Sequence, residues 1–429
     1  MKQTVRNGQK GTGLSLLKRL SAGLITGAAD DDPSGIATYS QVGAKFGYAT
    51  LWTMCLALPL MIAIQTVSAR IGRVTGKGLA QNMQALYSIW WVRALIGSVL
   101  IANVINLGAD IGAMGAALKL LIGGPALAYA LGFALVSLFL QVYIPFSKYS
   151  PFLKVLTLSL FAYVATVFVA QVPWTEALRN TFVPQIRWQA DYAVAIVAIL
   201  GTTISPYLFF WQASQEVEEV NAADNARKPL KSAPAQAPDA FKRVNFDTTV
   251  GMVFSNVVAY FIILTAAAVL HAHGKTDIQT SADAAAALHP IAGDFAFFLF
   301  AFGIVGTGLL ALPVLAGSTA YAMAETWGKP AGLERKPKQA PFFYGVIIVS
   351  TLGGALLNLT PIDPIKALFW SAVINGVAAV PAMVVIMLVA QNKKVMGRFV
   401  ISGWVKGLAW LATGVMSVAA IVMFVTWGQ

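Results

Sequence analysis

Eleven apolar runs dominate this 429-residue chain, each about as long as a helix needs to cross a hydrocarbon core of ~30 Å. They fall near 20–44, 49–69, 92–118, 126–146, 152–172, 192–212, 247–270, 295–322, 342–358, 367–391 and 407–427. Only 11% of the residues are charged, against 57% apolar, whereas soluble domains carry roughly 25% charge. A water-facing surface cannot be built from such a chain, which excludes tandem soluble domains and disordered segments. The single Cys55 cannot form an internal bridge, and no Cys/His spacing suggests structural zinc. The chain reads as an all-α polytopic membrane protein whose main partner is the lipid bilayer.

Orientation follows from the basic residues in the connections. With the N-terminus inside, 24 of the 30 Lys and Arg fall on the cytoplasmic side. The outer six are Lys45, Lys119, Arg179, Arg187, Lys275 and Lys366. The bias alternates through every loop, so the net charge of +12 is a topology signal and not a nucleic-acid footprint. It implies a multi-pass protein of the inner (plasma) membrane with the C-terminus outside. The first run is too long and too acidic for a cleaved leader. Residues 1–19 read as a cytoplasmic tail, and 213–245, polar and Pro/Ala-rich, as a flexible cytoplasmic linker. Within it, Gln215-Glu216-Val217-Glu218-Glu219 reads as a solvated helix end. The aromatic run Phe209-Phe210-Trp211 reads as packing or interface anchoring, and His271, His273 and His289 as solvated outer-loop residues.

Two runs are interrupted near mid-span. The first contains Asp30-Asp31-Asp32-Pro33-Ser34-Gly35, the sixth Gly201-Thr202-Thr203-Ile204-Ser205-Pro206-Tyr207. Proline removes a backbone donor and clashes with the preceding turn, and broken backbone survives in a membrane only inside protein or along a wet cavity. Spans one and six are the first members of two five-span halves, 20–175 and 190–392, with span eleven (407–429) left over. Five is odd, so the second half enters inverted. Paired interruptions in inverted repeats point to a midplane site, and an intramembrane acid such as Asp32 is functional by default.

These residues resemble the Nramp divalent-metal transporter family. The likeness runs through Asp32-Pro33-Ser34-Gly35, Phe46-Gly47-Tyr48, Leu51-Trp52, Ser68-Ala69-Arg70 and Val74-Thr75-Gly76. It continues in Gly201–Tyr207, Ala296–Thr319 and Leu368–Gly397. The resemblance implies a five-plus-five inverted repeat of the leucine-transporter type plus one peripheral helix. It also implies a metal site whose ligands, carried over by position, are Asp32, the Thr202 carbonyl and the Ser205 hydroxyl. The metal is then cargo, and no cofactor is expected.

The departures matter as much. Where the family has Asn in its first motif this chain has Gly35, and where the second motif has Met-Pro-His it reads Ser205-Pro206-Tyr207. Without the amide and the thioether the donors are oxygens, which suit Mg²⁺ and Mn²⁺ over softer ions. Gly35 and Ser205 imply a roomier pocket for a partly hydrated ion, and Asn375 is a further candidate ligand. The pattern resembles the Nramp-related magnesium transporters. Of the third-helix acids, aligned as Asn103, Asp110 and Ala113, one remains. The sixth-helix histidine positions are Tyr207 and Gln212, which do not titrate near neutrality. Uptake that is weakly or not proton-coupled follows. At about 100 mV inside negative a divalent ion gains roughly 4.6 kcal/mol, on the order of 10³-fold accumulation.

Asp30 and Asp31 read either as an electronegative vestibule or as a solvated cap of the first half-helix. Asp110 and Tyr207 read as remnants of a proton path or as structural hydrogen-bonding groups. Two alternatives share the fold: a proton-coupled Mn/Fe symporter and a sodium-coupled amino-acid symporter. A prenyltransferase using Asp30-Asp31-Asp32 lacks the second acidic cluster and basic phosphate partners that such an enzyme needs.

Overall fold

The computed structural model describes residues 22–146, 148–149, 155, 158–222 and 227–427, and all regular structure among them is helical. The first span is two half-helices, α1 (Ala22–Asp30) and α2 (Pro33–Phe46). Then come α3 (Trp52–Thr75), the short α4 (Leu79–Gln84), α5 (Ile89–Ile122) and α6 (Ala126–Tyr143). The described part of span five holds α7 (Phe161–Val169), followed by the short α8 (Trp174–Phe182). The sixth span is again two half-helices, α9 (Ala190–Thr203) and α10 (Pro206–Ala222). After it come α11 (Ala237–Val269), α12 (Ala296–Thr326), α13 (Pro341–Leu357), α14 (Pro364–Gln391) and α15 (Gly403–Thr426).

The packing repeats across the two halves. Half-helices α1 and α2 lie on α11, and α9 and α10 lie on α3, so span one meets span seven as span six meets span two. Likewise α5 packs on α13 as α12 packs on α6. The crossings of span one on seven and of span six on two each bring backbones close at a glycine. A Cβ on Gly27 would fall 2.1 Å from the Gly251 carbonyl oxygen, and one on Gly72 would fall 2.3 Å from that of Ala213. Lipid tails are as apolar as Leu, so close backbone approach at small residues holds such helices together. The outlier α15 packs against α3, α9 and α14, at the rim.

The connections sort to two ends. At one, Arg73 donates to the Lys228 carbonyl, Gln84 to that of Thr326 and Lys231 to that of Lys394. At the other, Lys45 pairs with Asp191, Gln41 donates to Asp277, and His271 Nδ1 lies 2.7 Å from the Ala44 carbonyl. Every contact at the first end joins loops from the basic-rich set, and every contact at the second joins loops from the other set.

The segment 213–245 differs from the linker expectation. Helix α10 runs through 213–222 and α11 begins at 237. Between them Leu230 is buried, and the Leu230 and Lys231 amides donate to the Arg73 and Val74 carbonyls. Nor is the acidic stretch a solvated end. Glu216 is fully buried against Arg243, which also holds Glu219, and Glu218 accepts from the Tyr321 hydroxyl and the Leu333 amide. Polar composition suggested solvent because the partners lie on distant segments.

Candidate functional site

The two breaks create four helix ends near one another, and their polarity differs. Helices α1 and α9 end there with carbonyls, while α2 and α10 begin there with amides. Carbonyl ends carry partial negative charge and suit a cation; amide ends suit an anion. Asp32 occupies the amide end of α2 as its N-cap, with Pro33 at the first helical position, where the missing N–H costs nothing. Its Oδ1 accepts from the Gly35 amide (2.8 Å) and from the Ser34 hydroxyl (2.6 Å). The carboxylate is 1% exposed, so the site is closed to solvent in this arrangement.

Oδ2 of Asp32 faces a residue that sequence reasoning missed. Asn106 on α5 donates to it at 3.0 Å and to Asp110 Oδ2 at 3.2 Å. With two carboxylates against that amide, its nitrogen must face them and its oxygen must face away. The oxygen accepts from Asn375 Nδ2 on α14 at 3.1 Å. This fixes Asn375 in turn, leaving Asn375 Oδ1 buried with no donor. Asn375 therefore reaches Asp32 through Asn106, with a free acceptor of its own. The spacing Asn103, Asn106, Asp110 on one helix face was the available signal. Asn103 itself turns to α12, donating to Ser318 and Thr319.

At the other break Ser205 is a cap. Its hydroxyl lies 2.7 Å from the Gly201 carbonyl and 2.9 Å from that of Thr202, orphan acceptors at the end of α9. The Thr202 carbonyl thus lies at the open end of α9 with the Ser205 hydroxyl beside it. Tyr207, at the start of α10, sets its hydroxyl 3.2 Å from the Ala29 carbonyl and 3.4 Å from Asp32 Oδ2, tying both breaks together. Gln212 accepts from Thr26 at 2.6 Å, a second tie between α10 and α1.

Gly35 does not open a pocket here. A Cβ on it would lie 3.1 Å from Thr202 Oγ1 and 3.3 Å from both the Asp30 carbonyl and the Tyr39 ring. The missing side chain lets α9 and the end of α1 close on α2, where a roomier cavity was expected. Asp30 and Asp31 are fully buried, so they do not form a solvated cap; Ser255 of α11 lies against both. Of Asp110, one oxygen meets Asn106, and the Ser34 backbone amide is within hydrogen-bonding reach of the carboxyl group. Among the described residues no three His, Cys, Asp or Glu side chains converge as a metal-binding group. The site therefore offers carboxylate, amide, hydroxyl and main-chain oxygens around Asp32.

A family model described as "Natural resistance-associated macrophage protein-like", Nramp, matches residues 23–426, nearly the whole chain. The chain belongs to the Nramp family. It is accordingly a multi-pass protein of a membrane-transporter family. Curated relatives include a protein named divalent metal cation transporter MntH from Klebsiella pneumoniae, 27% identical over 90% of this chain and 88% of its own length. Another of the same name from Bradyrhizobium diazoefficiens is 26% identical over 94% of this chain and 88% of its own. Among solved structures, the Eremococcus coleocola manganese transporter, with an aromatic bis-isothiourea compound, superposes with a TM-score of 0.72 at 19% identity, over 98% of this chain and 88% of that one. Mhp1, a nucleobase-cation-symport-1 family transporter in a closed conformation, superposes with 0.57 at 13% identity, over 95% and 92%. The five-plus-five architecture expected from the sequence is thus the fold of this Nramp protein.

Proposed function

We propose that this Nramp protein imports divalent metal cations by alternating access, carrying them at the midplane site between the two broken spans. Its cargo is Mg²⁺, Mn²⁺ or both, and its uptake is weakly or not coupled to protons, as in the magnesium-transporting branch that the motif departures resemble. The N-terminus is cytoplasmic and the membrane is the inner one. The observation that carries the reading is the Asp32 carboxylate, buried at the meeting point of two carbonyl-ended half-helices and surrounded by oxygen and nitrogen groups. Asp32, the Thr202 carbonyl, Ser205 and Asn375 supply the ligand set, with Gly35 as the close-approach position. Where a sulfur ligand is expected in the family, Ser205 offers a hydroxyl, and hard oxygen donors favour ions that keep part of their hydration. Asp30 and Asp31 form the negative wall of the approach, and Asp110 and Tyr207 orient polar groups around Asp32.

The relatives named MntH and the manganese transporter structures favour Mn²⁺ within that pair and keep a proton-coupled Mn/Fe symporter as the second reading. Purified protein in liposomes decides between them, with Mg²⁺, Mn²⁺, Ca²⁺ and Cd²⁺ supplied in parallel under a set membrane potential. The expected result is uptake of Mg²⁺ or Mn²⁺ driven by voltage with little internal acidification, abolished by Asp32→Asn. Uptake confined to Cd²⁺ and other soft ions would overturn the selectivity. Stoichiometric acidification would establish the symporter, and undiminished uptake by Asp32→Asn would remove the site.

A further inference from the structure

Helix α15 closes the bundle at its rim, and its crossing with α9 leaves a gap. On its other side α9 packs tightly: a Cβ on Gly201 would fall 2.1 Å from the Ala372 carbonyl oxygen of α14. A Cβ on Gly414 of α15 would meet nothing within 4 Å. Small residues that normally draw membrane helices together here border a groove of about 440 Å³, walled by α15, α9 and Trp52 at the start of α3. On α15 the wall runs from Leu411 through Gly414 and Val418 to Val422, one face of the helix. A void between apolar walls forfeits the contacts of every atom that lines it, so an apolar filling is favoured.

The mouth of the groove carries a cation. It lies at the Lys45–Asp191 end of the bundle, where α9 begins and where Trp427, just past α15, meets Trp370 of α14. Tyr192 accepts from Trp52 Nε1 at 3.1 Å, and its hydroxyl lies 2.5 Å from the Gln185 carbonyl. These bonds fix the segment that sets Arg187 and Trp188 against the groove. Asp191, the carboxylate nearest to Arg187 in sequence, pairs with Lys45, and among the described residues no acid forms an ion pair with Arg187. Trp188 is 78% exposed, as suits a tryptophan at headgroup depth. From Val422 to Leu411 the helix rises roughly 16 Å, about half of a ~30 Å hydrocarbon core.

We infer that this groove holds one anionic phospholipid, with an acyl chain lying between α9 and α15 and the phosphate on Arg187. A guanidinium matches a phosphate with paired donors, and a groove one leaflet deep matches a single lipid tail. A second copy of this chain fits less well, because its helix would set apolar side chains against the Arg187 charge. The lipid braces α9, the half-helix whose other end carries the Thr202 carbonyl. The inference stands apart from the transport reading, since it concerns the lipid face and not the metal.

Native mass spectrometry of the full chain tests this, after reconstitution in nanodiscs of equal phosphatidylglycerol and phosphatidylcholine and graded washing in detergent. One phosphatidylglycerol per chain should remain when the other lipids are gone. Arg187→Gln should lower its preference over phosphatidylcholine by about fivefold, the contribution of one basic residue near anionic lipid. Gly414→Leu, which fills the groove with an apolar side chain, should abolish retention. Gly132→Leu on α6, where a Cβ also meets nothing within 4 Å, should leave retention unchanged. Retention by Gly414→Leu, loss in both leucine variants, or an unchanged preference in Arg187→Gln would overturn the inference. So would an unaltered protein that keeps no lipid, or a two-chain mass that Gly414→Leu disperses, which would assign the groove to a second copy.

Discussion

Buried acids occur in two places in this transporter, and only one of the two places supplies arginine to any of them. At the basic-rich end, Glu216 and Glu219 share Arg243 at 2.5 and 2.8 Å, and Arg227 adds a further contact to Glu219 at 2.8 Å. Glu218 accepts from Tyr321 and the Leu333 amide; Glu325 accepts from the Ala80 amide and Ser214, each at 3.1 Å. Around the first break, Asp30, Asp31, Asp32 and Asp110 have amide and hydroxyl donors and no cationic side chain. In the first set the fold supplies arginine to Glu216 and Glu219, clamping α10 to α11, while Glu218 and Glu325 hold α10, α12 and α4 together through neutral donors. In the second the described residues supply no cation at all, as the proposed passage of a metal ion requires. A carboxylate thus marks a fastening at one place and the proposed cargo site at the other, and the presence of an arginine partner sets Glu216 and Glu219 apart.

Neutralising one member of each set is the strongest way to break this contrast. Asp32→Asn keeps an N-cap of equal quality and removes an uncompensated charge, so the apo protein should be as stable as before or more so, with metal uptake lost. Arg243→Ala should do the reverse at the other end. It strands Glu216, and removal of one partner of a buried pair costs about 3–5 kcal/mol, read as earlier unfolding in a denaturing-detergent titration. The protein that still folds should transport. Loss of stability from Asp32→Asn, or loss of binding from Arg243→Ala in folded protein, would erase the distinction.

An intermediate effect belongs to Asn106, which touches both central acids and Asn375. Asn106→Ala deletes the donors to Asp32 and Asp110 and frees the Asn375 amide, with no charge changed. Supporting groups of this kind affect metal affinity by about 10- to 100-fold, so the Mn²⁺ dissociation constant should rise by that factor. Asn106→Ser, which retains a short donor, should recover part of it. An unchanged constant would reduce Asn106 to packing.

Much of this was legible from residue order. Pro33 and Pro206 sit where the helices break, and the glycine-rich crossings fall on runs already marked as spans. Asn106 was overlooked because a search for titratable groups passes over an amide, although it lies on the same helix face as Asn103 and Asp110, three and four residues away. The clamp at the basic-rich end was invisible for another reason. Glu216 finds Arg243 27 residues on, and Glu218 finds Tyr321 at a separation of 103, distances at which local pattern carries no information. The closeness of Thr202 to Gly35 depends on how α9 meets α2, which motif comparison alone leaves open.

The smallest effect is expected at the end opposite the clamp. Lys45, in the last turn of α2, meets Asp191 in the first turn of α9 at 2.6 Å, beside a cavity of about 210 Å³ lined by Gln41, Asp277 and Lys366. The contact joins one half-helix of each broken span, so in the proposed alternating-access cycle it has the position of a latch. Its side chains are 41% and 69% exposed, however, and exposed ion pairs contribute roughly 0–1 kcal/mol because water solvates the separated charges almost as well. Lys45→Ala should therefore change the rate of metal uptake by less than about fivefold, the equivalent of ~1 kcal/mol in a barrier. Any change should shrink in 1 M salt, where the screening length falls to about 3 Å, close to the length of the contact itself. A larger, salt-resistant effect would mean that the pair is desolvated during transport, and this end would then join the central acids as a place where charge compensation changes with the cycle.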